Sequence, residues 1–89
     1  MSRHHIEVRV KPRRGLLDPE GKAVGHALQS LGFSGVSEVR VGKVMDVEMT
    51  ADSESAAVAA TEEMCRKLLA NPVTEDFEIA YVGPIGGAE

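Results

Sequence analysis

Residues 15–33 read GLLDPEGKAVGHALQSLGF, a run that holds a loop, a helix start, an apolar helical stripe and a helix stop without interruption. Asp18 can accept from the orphan N–H groups of a first turn, and Pro19 sacrifices no hydrogen bond at the first helical position. Glu20 adds negative charge near the positive end of the helix dipole. Val24, Ala27, Leu28 and Leu31 recur at i, i+3, i+4 and i+7, which predicts a helix with one apolar face. Gly32 can take the left-handed conformation that ends such a helix, and Phe33 can fold back onto Leu28. Gly21 and Gly25 each cost about 1 kcal/mol relative to alanine inside a helix. Their i,i+4 spacing clears a strip of side chains, so the sheet or another subunit is expected to approach closely there.

On either side of this helix the pattern changes from a period of 3.6 to a period of two. Residues 5–11 place Ile6, Val8 and Val10 on one face and Glu7, Arg9 and Lys11 on the other, as in a half-buried strand. Residues 36–41 alternate less cleanly, with Val39 and Val41 opposite Glu38 and Arg40. Gly42 and Lys43 then punctuate the chain before Val44, and a glycine there suits a two-residue hairpin turn. Met45, Val47 and Met49 predict the next strand's inner face. Residues 50–71 are the longest helical signal, with Asp52 and Ser53 as caps and Ala57, Ala60, Thr61, Met64, Cys65 and Leu68 as the buried stripe. Glu62–Arg66 and Glu63–Lys67 are i,i+4 pairs worth a few tenths of a kcal/mol each. Pro72 stops the helix after Asn71, and Phe77, Ile79 and Tyr81 mark a last strand.

The predicted order is β-α-β-β-α-β, an α+β ferredoxin-like arrangement with both helices on one face of an antiparallel sheet. Residues 1–83 form one domain, and the tail 84–89 is expected to fray. Val36, Val44, Ala80 and Val82 fall among charges on the opposite sheet face. That face is too apolar for plain solvent exposure. Dimerisation through it, or exchange of the last strand between protomers, is therefore expected.

Composition narrows the function. A net charge of −4 opposes a nucleic-acid surface, and one tyrosine, two phenylalanines and no tryptophan provide no base-stacking platform. No apolar run suits a membrane span and no export pattern is present, so a cytoplasmic protein is expected. The single cysteine, Cys65, fits a reducing compartment and falls on a core stripe, which is poor ground for a nucleophile. His4 and His5 point to opposite strand faces, and His26 has no ligand partner at i±4. All three read as surface residues, with no metal set. The carboxylates are scattered on outward positions, where nothing would raise a pKa for acid–base work. Arg13 and Arg14 before a helix N-terminus could hold an anion, but Asp18 occupies the place where that anion would dock.

Three elements together resemble the PurS family: GLLDPEGKAVGHALQSLGF, then VSEVRVGK, then MCRKLLANPVTEDFEI, colinear across nearly the whole chain. Arg13 and Arg14 add more basic charge than the family's first loop usually carries. The resemblance implies the small, non-catalytic subunit of phosphoribosylformylglycinamidine synthase in purine biosynthesis. It implies a dimeric scaffold that holds the glutaminase PurQ against the synthetase PurL so that ammonia passes without loss. No cofactor is implied for this subunit, while ATP and magnesium are implied for the complex. Gly42, Lys43, Asn71 and Pro72 are candidate subunit contacts, and Asp18, Pro19 and Gly21 are candidates for fixing the loop and helix start. An ACT-type amino-acid-binding module shares the element order and is the alternative reading. A small acyl-phosphate hydrolase using Arg13 and Arg14 is a third.

Overall fold

A computed structural model describes residues 1–86. It contains three strands and two helices: β1 (Ser2–Pro12), α1 (Pro19–Ser30), β2 (Lys43–Ala51), α2 (Glu54–Met64) and β3 (Glu75–Ile85). The strands form one antiparallel sheet in the order β2-β1-β3. Alternation dictates the inner face, where Ile6, Val8 and Val10 of the central strand are buried. Met45 and Val47 from β2, with Phe77 and Ile79 from β3, pack around them. α2 covers this face, and its Ala57 and Thr61, with Cys65 just after it, are buried against the sheet. Sheet and α2 form the body of the protein.

Several sequence expectations shift. β1 begins at Ser2 rather than His5, so His4 lies inside and is buried, not on the surface. Its ring is satisfied there by the Tyr81 hydroxyl at 2.8 Å, the Ala51 carbonyl at 3.3 Å and Ser2 Oγ at 3.1 Å. Thr50 and Ala51 belong to β2, and α2 starts only after Ser53, whose hydroxyl accepts from the Ala56 N–H. β3 continues through Pro84 to Ile85, opposite His4 and Arg3, where the tail was expected to begin. The rest of that expected tail, from residue 87 on, lies outside the described residues.

α2 runs on into a π-helical turn at Cys65–Leu69, closed by the Ala70 N–H donating to the Cys65 carbonyl at 3.0 Å. The wider turn rotates the helix face. Leu68, expected in the core, is therefore 82% exposed, and Leu69 packs on the core instead.

The largest difference concerns α1 and residues 36–42. Both helices were expected on one sheet face, yet α1 has no substantial packing against any strand or against α2. Its expected apolar stripe lies open, with Leu31 74% exposed and Val24 and Phe33 also exposed. Residues 36–42 form no strand, and Gly42–Lys43 make no hairpin: Lys43 is already paired with Val10 in β2. The physical reason is that residues 40–42 are held elsewhere. The Val41 N–H donates to Asp18 Oδ2 at 2.9 Å, and Arg40 donates to the Pro12 carbonyl. Loop, α1 and residues 36–42 thus form an arm beside the body. The radius of gyration is 16.9 Å, against about 12 Å for a compact chain of this length.

Candidate functional site

The arm and the turn after α2 meet at one place, the exit of β1. Asp18 caps α1: Oδ1 accepts from the Gly21 N–H at 3.1 Å while Oδ2 takes the Val41 N–H. Pro19 opens the helix, and the Lys22 N–H closes its first turn on the Asp18 carbonyl at 2.9 Å. These two backbone bonds, that from Val41 foremost, hold the Asp18 carboxyl below the usual carboxylate range. An anion arriving at this helix start would meet a carboxylate already using those donors.

Gly21 and Gly25 are the buried residues of α1. A Cβ on Gly21 would collide with the Val39 carbonyl oxygen and with Asp18 Oδ2, and one on Gly25 would touch the Val39 side chain. The neighbour that approaches the glycine strip is therefore the chain's own residue 39. Gln29 Nε2 also donates to the Val36 carbonyl at 2.9 Å, so α1 and residues 36–41 form one preassembled unit. Between them runs an open groove of about 490 Å³, floored by the glycines and walled by Leu17, Lys22, Val36 and Glu38.

Gly42 lies against β1, where any side chain would strike the Val10 carbonyl oxygen. Lys43 is exposed next to it. Asn71 builds the other turn: its side-chain oxygen accepts from the Val73 N–H, and its carbonyl accepts from the N–H groups of Thr74 and Glu75. Pro72 is exposed in that turn. Arg13 joins the turn to β1, since its backbone N–H donates to the Thr74 carbonyl at 2.9 Å and its guanidinium donates to the Pro72 carbonyl at 2.7 Å. The same guanidinium lies 3.3 Å from Asp76. Arg14 instead faces Glu38 at 4.0 Å. The two arginines therefore diverge, and each has a carboxylate partner. Two groups of candidates converge at the β1 exit, Asp18–Pro19–Gly21–Gly42–Lys43 on one side and Asn71–Pro72 on the other. The joining roles of Arg13 and Arg40 had no local signal, because their partners are distant in sequence.

Burial pushes the Cys65 thiol up, away from the thiolate a nucleophile needs. Among the described residues no three His, Cys, Asp or Glu side chains converge as metal ligands, and no helix is long and apolar enough to cross a membrane. The sheet face away from α2 carries ion pairs, Arg3–Glu48 at 3.1 Å and Arg9–Glu7 at 2.8 Å, with His5 2.8 Å from Asp46. Val44 and Val82 are exposed among them.

Fold and site define an α+β module: a half-covered antiparallel sheet and a projecting arm, with turn and cap chemistry where the two meet. A sequence model of the PurS family, described as phosphoribosylformylglycinamidine (FGAM) synthase, matches residues 5–83. The chain belongs to the PurS family. It is 46% identical over 70 residues to the phosphoribosylformylglycinamidine synthase subunit PurS of Methanocaldococcus jannaschii, covering 79% of this chain and 84% of that one. The Bacillus subtilis subunit PurS is 40% identical over 74 residues, covering 83% and 87%. Among solved structures, a chain of PurLQS from Thermotoga maritima superposes with a TM-score of 0.82 at 27% identity, covering 92% of this chain and all of that one. Crystalline M. jannaschii PurS gives 0.74 at 40% identity, covering 89% and 95%. The ACT-type alternative is not favoured by this assignment.

Proposed function

We propose that this chain is the PurS subunit of a phosphoribosylformylglycinamidine synthase and acts as a non-catalytic, homo-oligomeric scaffold. In this role it holds a PurQ-type glutaminase against a PurL-type synthetase, so that ammonia released from glutamine reaches the synthetase directly. The observation that carries the reading is the match along nearly the full length of PurS subunits, including a chain of a PurLQS assembly. ATP and magnesium belong to the synthetase, and the assembly works in the cytoplasm. Gly42, Lys43, Asn71 and Pro72, gathered at that exit, contact the other subunits, while Asp18, Pro19 and Gly21 fix the arm that presents them.

Reconstitution tests this. The synthetase and glutaminase from the same organism, mixed with this chain, ATP and magnesium, should make the amidine from glutamine, and omission of this chain should abolish that rate. A full glutamine-dependent rate without the chain overturns the reading.

A further inference from the structure

The end of the sheet opposite the β1 exit holds a side-chain cluster that the scaffold role does not use. Strand alternation puts Ser2 on the same side of β1 as the buried His4 and Ile6. Ala51 of β2, in register with Ser2, and Tyr81 of β3, in register with Ile6, close in from the two flanking strands. Ser2 Oγ lies 3.1 Å from His4 Nε2, and the Tyr81 hydroxyl lies 2.8 Å from His4 Nδ1. His4 is buried while Ser2 is exposed. A hydroxyl open to solvent thus touches a shielded imidazole whose other nitrogen is held by a third group. That is the relation a nucleophile requires of its base.

The two ring nitrogens have different freedom. The Ala51 carbonyl, 3.3 Å from Nε2, can only accept, whereas the hydroxyls of Ser2 and Tyr81 can donate or accept. With the proton on Nε2, the ring donates to Ala51 and Nδ1 accepts from Tyr81. With the proton on Nδ1, the ring donates to Tyr81 and Nε2 accepts from Ser2. Tyr81, the shortest of the three contacts, is kept in both, and the change gives up only the longest. The second tautomer makes His4 a base toward Ser2. Burial of the ring does not require Ser2, because Tyr81 and the Ala51 carbonyl already satisfy both nitrogens.

We propose that Ser2 is an acyl-acceptor site, its hydroxyl activated by His4 and acylated by small acyl thioesters. Ser2 Oγ attacks the thioester carbonyl as its proton passes to His4 Nε2. The C–S bond breaks as the ester C–O bond forms, and the departing thiolate takes the proton from Nε2. The products are a seryl ester and a free thiol, and nothing is oxidised or reduced. Thioesters fit because the cluster supplies a nucleophile and a base whose side-chain hydrogen bonds are spent on one another and on Ala51. Such a pair reaches carbonyls whose leaving group departs readily, as does a thiolate of pKa about 8.5. Tyr81 acts through His4 and is a positioning residue.

Incubation of the full chain with the acetyl thioester of N-acetylcysteamine, followed by peptide mass mapping, tests the site. Hydroxylamine strips esters and leaves the amides formed at the N-terminus and at lysines. The expected result is one hydroxylamine-labile acetyl group on Ser2, absent in Ser2→Ala and formed about 100-fold more slowly in His4→Gln. Tyr81→Phe should slow it about tenfold and, in the ¹⁵N spectrum of the imidazole, shift the proton onto Nε2, which a loss of packing alone would not do. Acetylation confined to amines overturns the proposal, and so does equal Ser2 labelling in wild type and His4→Gln. Wild type unfolded in urea gives the same comparison without a substitution: Ser2 labelled as fast there as in the folded chain also overturns it. A wild-type rate with unchanged ¹⁵N shifts in Tyr81→Phe overturns the positioning role.

Discussion

Body and arm obey different physics although one chain builds both. In the body, strand alternation places Ile6, Val8 and Val10 under α2, and their burial is complete within a single copy. Stability there comes from apolar area removed from water, about 25 cal/mol per Å². In the arm, the apolar stripe is open and the internal contacts are few: one capping carboxylate, one glutamine-to-carbonyl bond and two glycines that let Val39 close in. The same kind of amphipathic helix is thus covered by its own chain in one region and left open in the other. An apolar stripe in a sequence says that one face of a helix is apolar. It does not say what covers that face.

The strongest way to break this contrast is a pair of truncations. Ile6→Ala removes a fully buried side chain from the body and should cost about 3 kcal/mol in urea unfolding. The loss should not change with protein concentration when unfolding of the body is followed within an intact oligomer. Leu31→Ala, on the open arm stripe, should leave the stability of dilute single chains unchanged and cost more as concentration rises. If Leu31→Ala were as damaging as Ile6→Ala at high dilution, the arm would pack on its own body and the contrast would fail.

The same contrast explains what could be read from the sequence. The inner faces of β1, β2 and β3 were legible because a period of two leaves little choice of register. α1 was legible too, since Asp18-Pro19 and the i, i+3, i+4, i+7 stripe are local signals. The position of α1 was not, because periodicity reports that a face is apolar and nothing more. Residues 36–41 read as a strand, but a strand exists only where a ladder partner is within reach, and Asp18 and Pro12 hold this segment away from β2. The π-turn was invisible because Leu68 and Leu69 are both apolar, so either register gave a plausible stripe. At the β1 exit, the candidate residues could be picked as turn and cap residues. Their convergence could not, since Arg13 reaches Pro72 and Asp76 across some sixty positions.

A second perturbation targets the seam inside the arm. Gly21→Ala would press a methyl group against the Val39 carbonyl and the Asp18 carboxylate, and backbone is a poor neighbour to displace. Overpacking of this kind costs about 2 kcal/mol. The cost should appear locally: amide exchange at Val41 and along α1 should accelerate, while exchange in β1 stays slow. Uniform acceleration across β1 and the arm would show that the two regions unfold as one unit.

The smallest effect is electrostatic and concerns Asp18 alone. Its folded-state carboxyl is held below the ordinary value of 3.8, first by the Val41 N–H and then by the Gly21 N–H. A group with a depressed folded pKa contributes stability that is fully present above its unfolded pKa and is lost as pH falls through the folded value. The arm should therefore be indifferent to pH near neutrality and loosen only in acid, from about pH 4 downward. Asp18→Asn keeps one oxygen for Gly21 but turns a donor toward the Val41 N–H, so two donors face each other. That variant should show faster Val41 exchange already at neutral pH and should lack the Asp18-linked part of the acid loosening. Amide exchange followed from neutral pH into acid reads both effects, with the buried core amides of β1 as the internal control. If wild type and variant loosened in parallel through the acid range, the carboxylate would not be what joins α1 to residues 36–42.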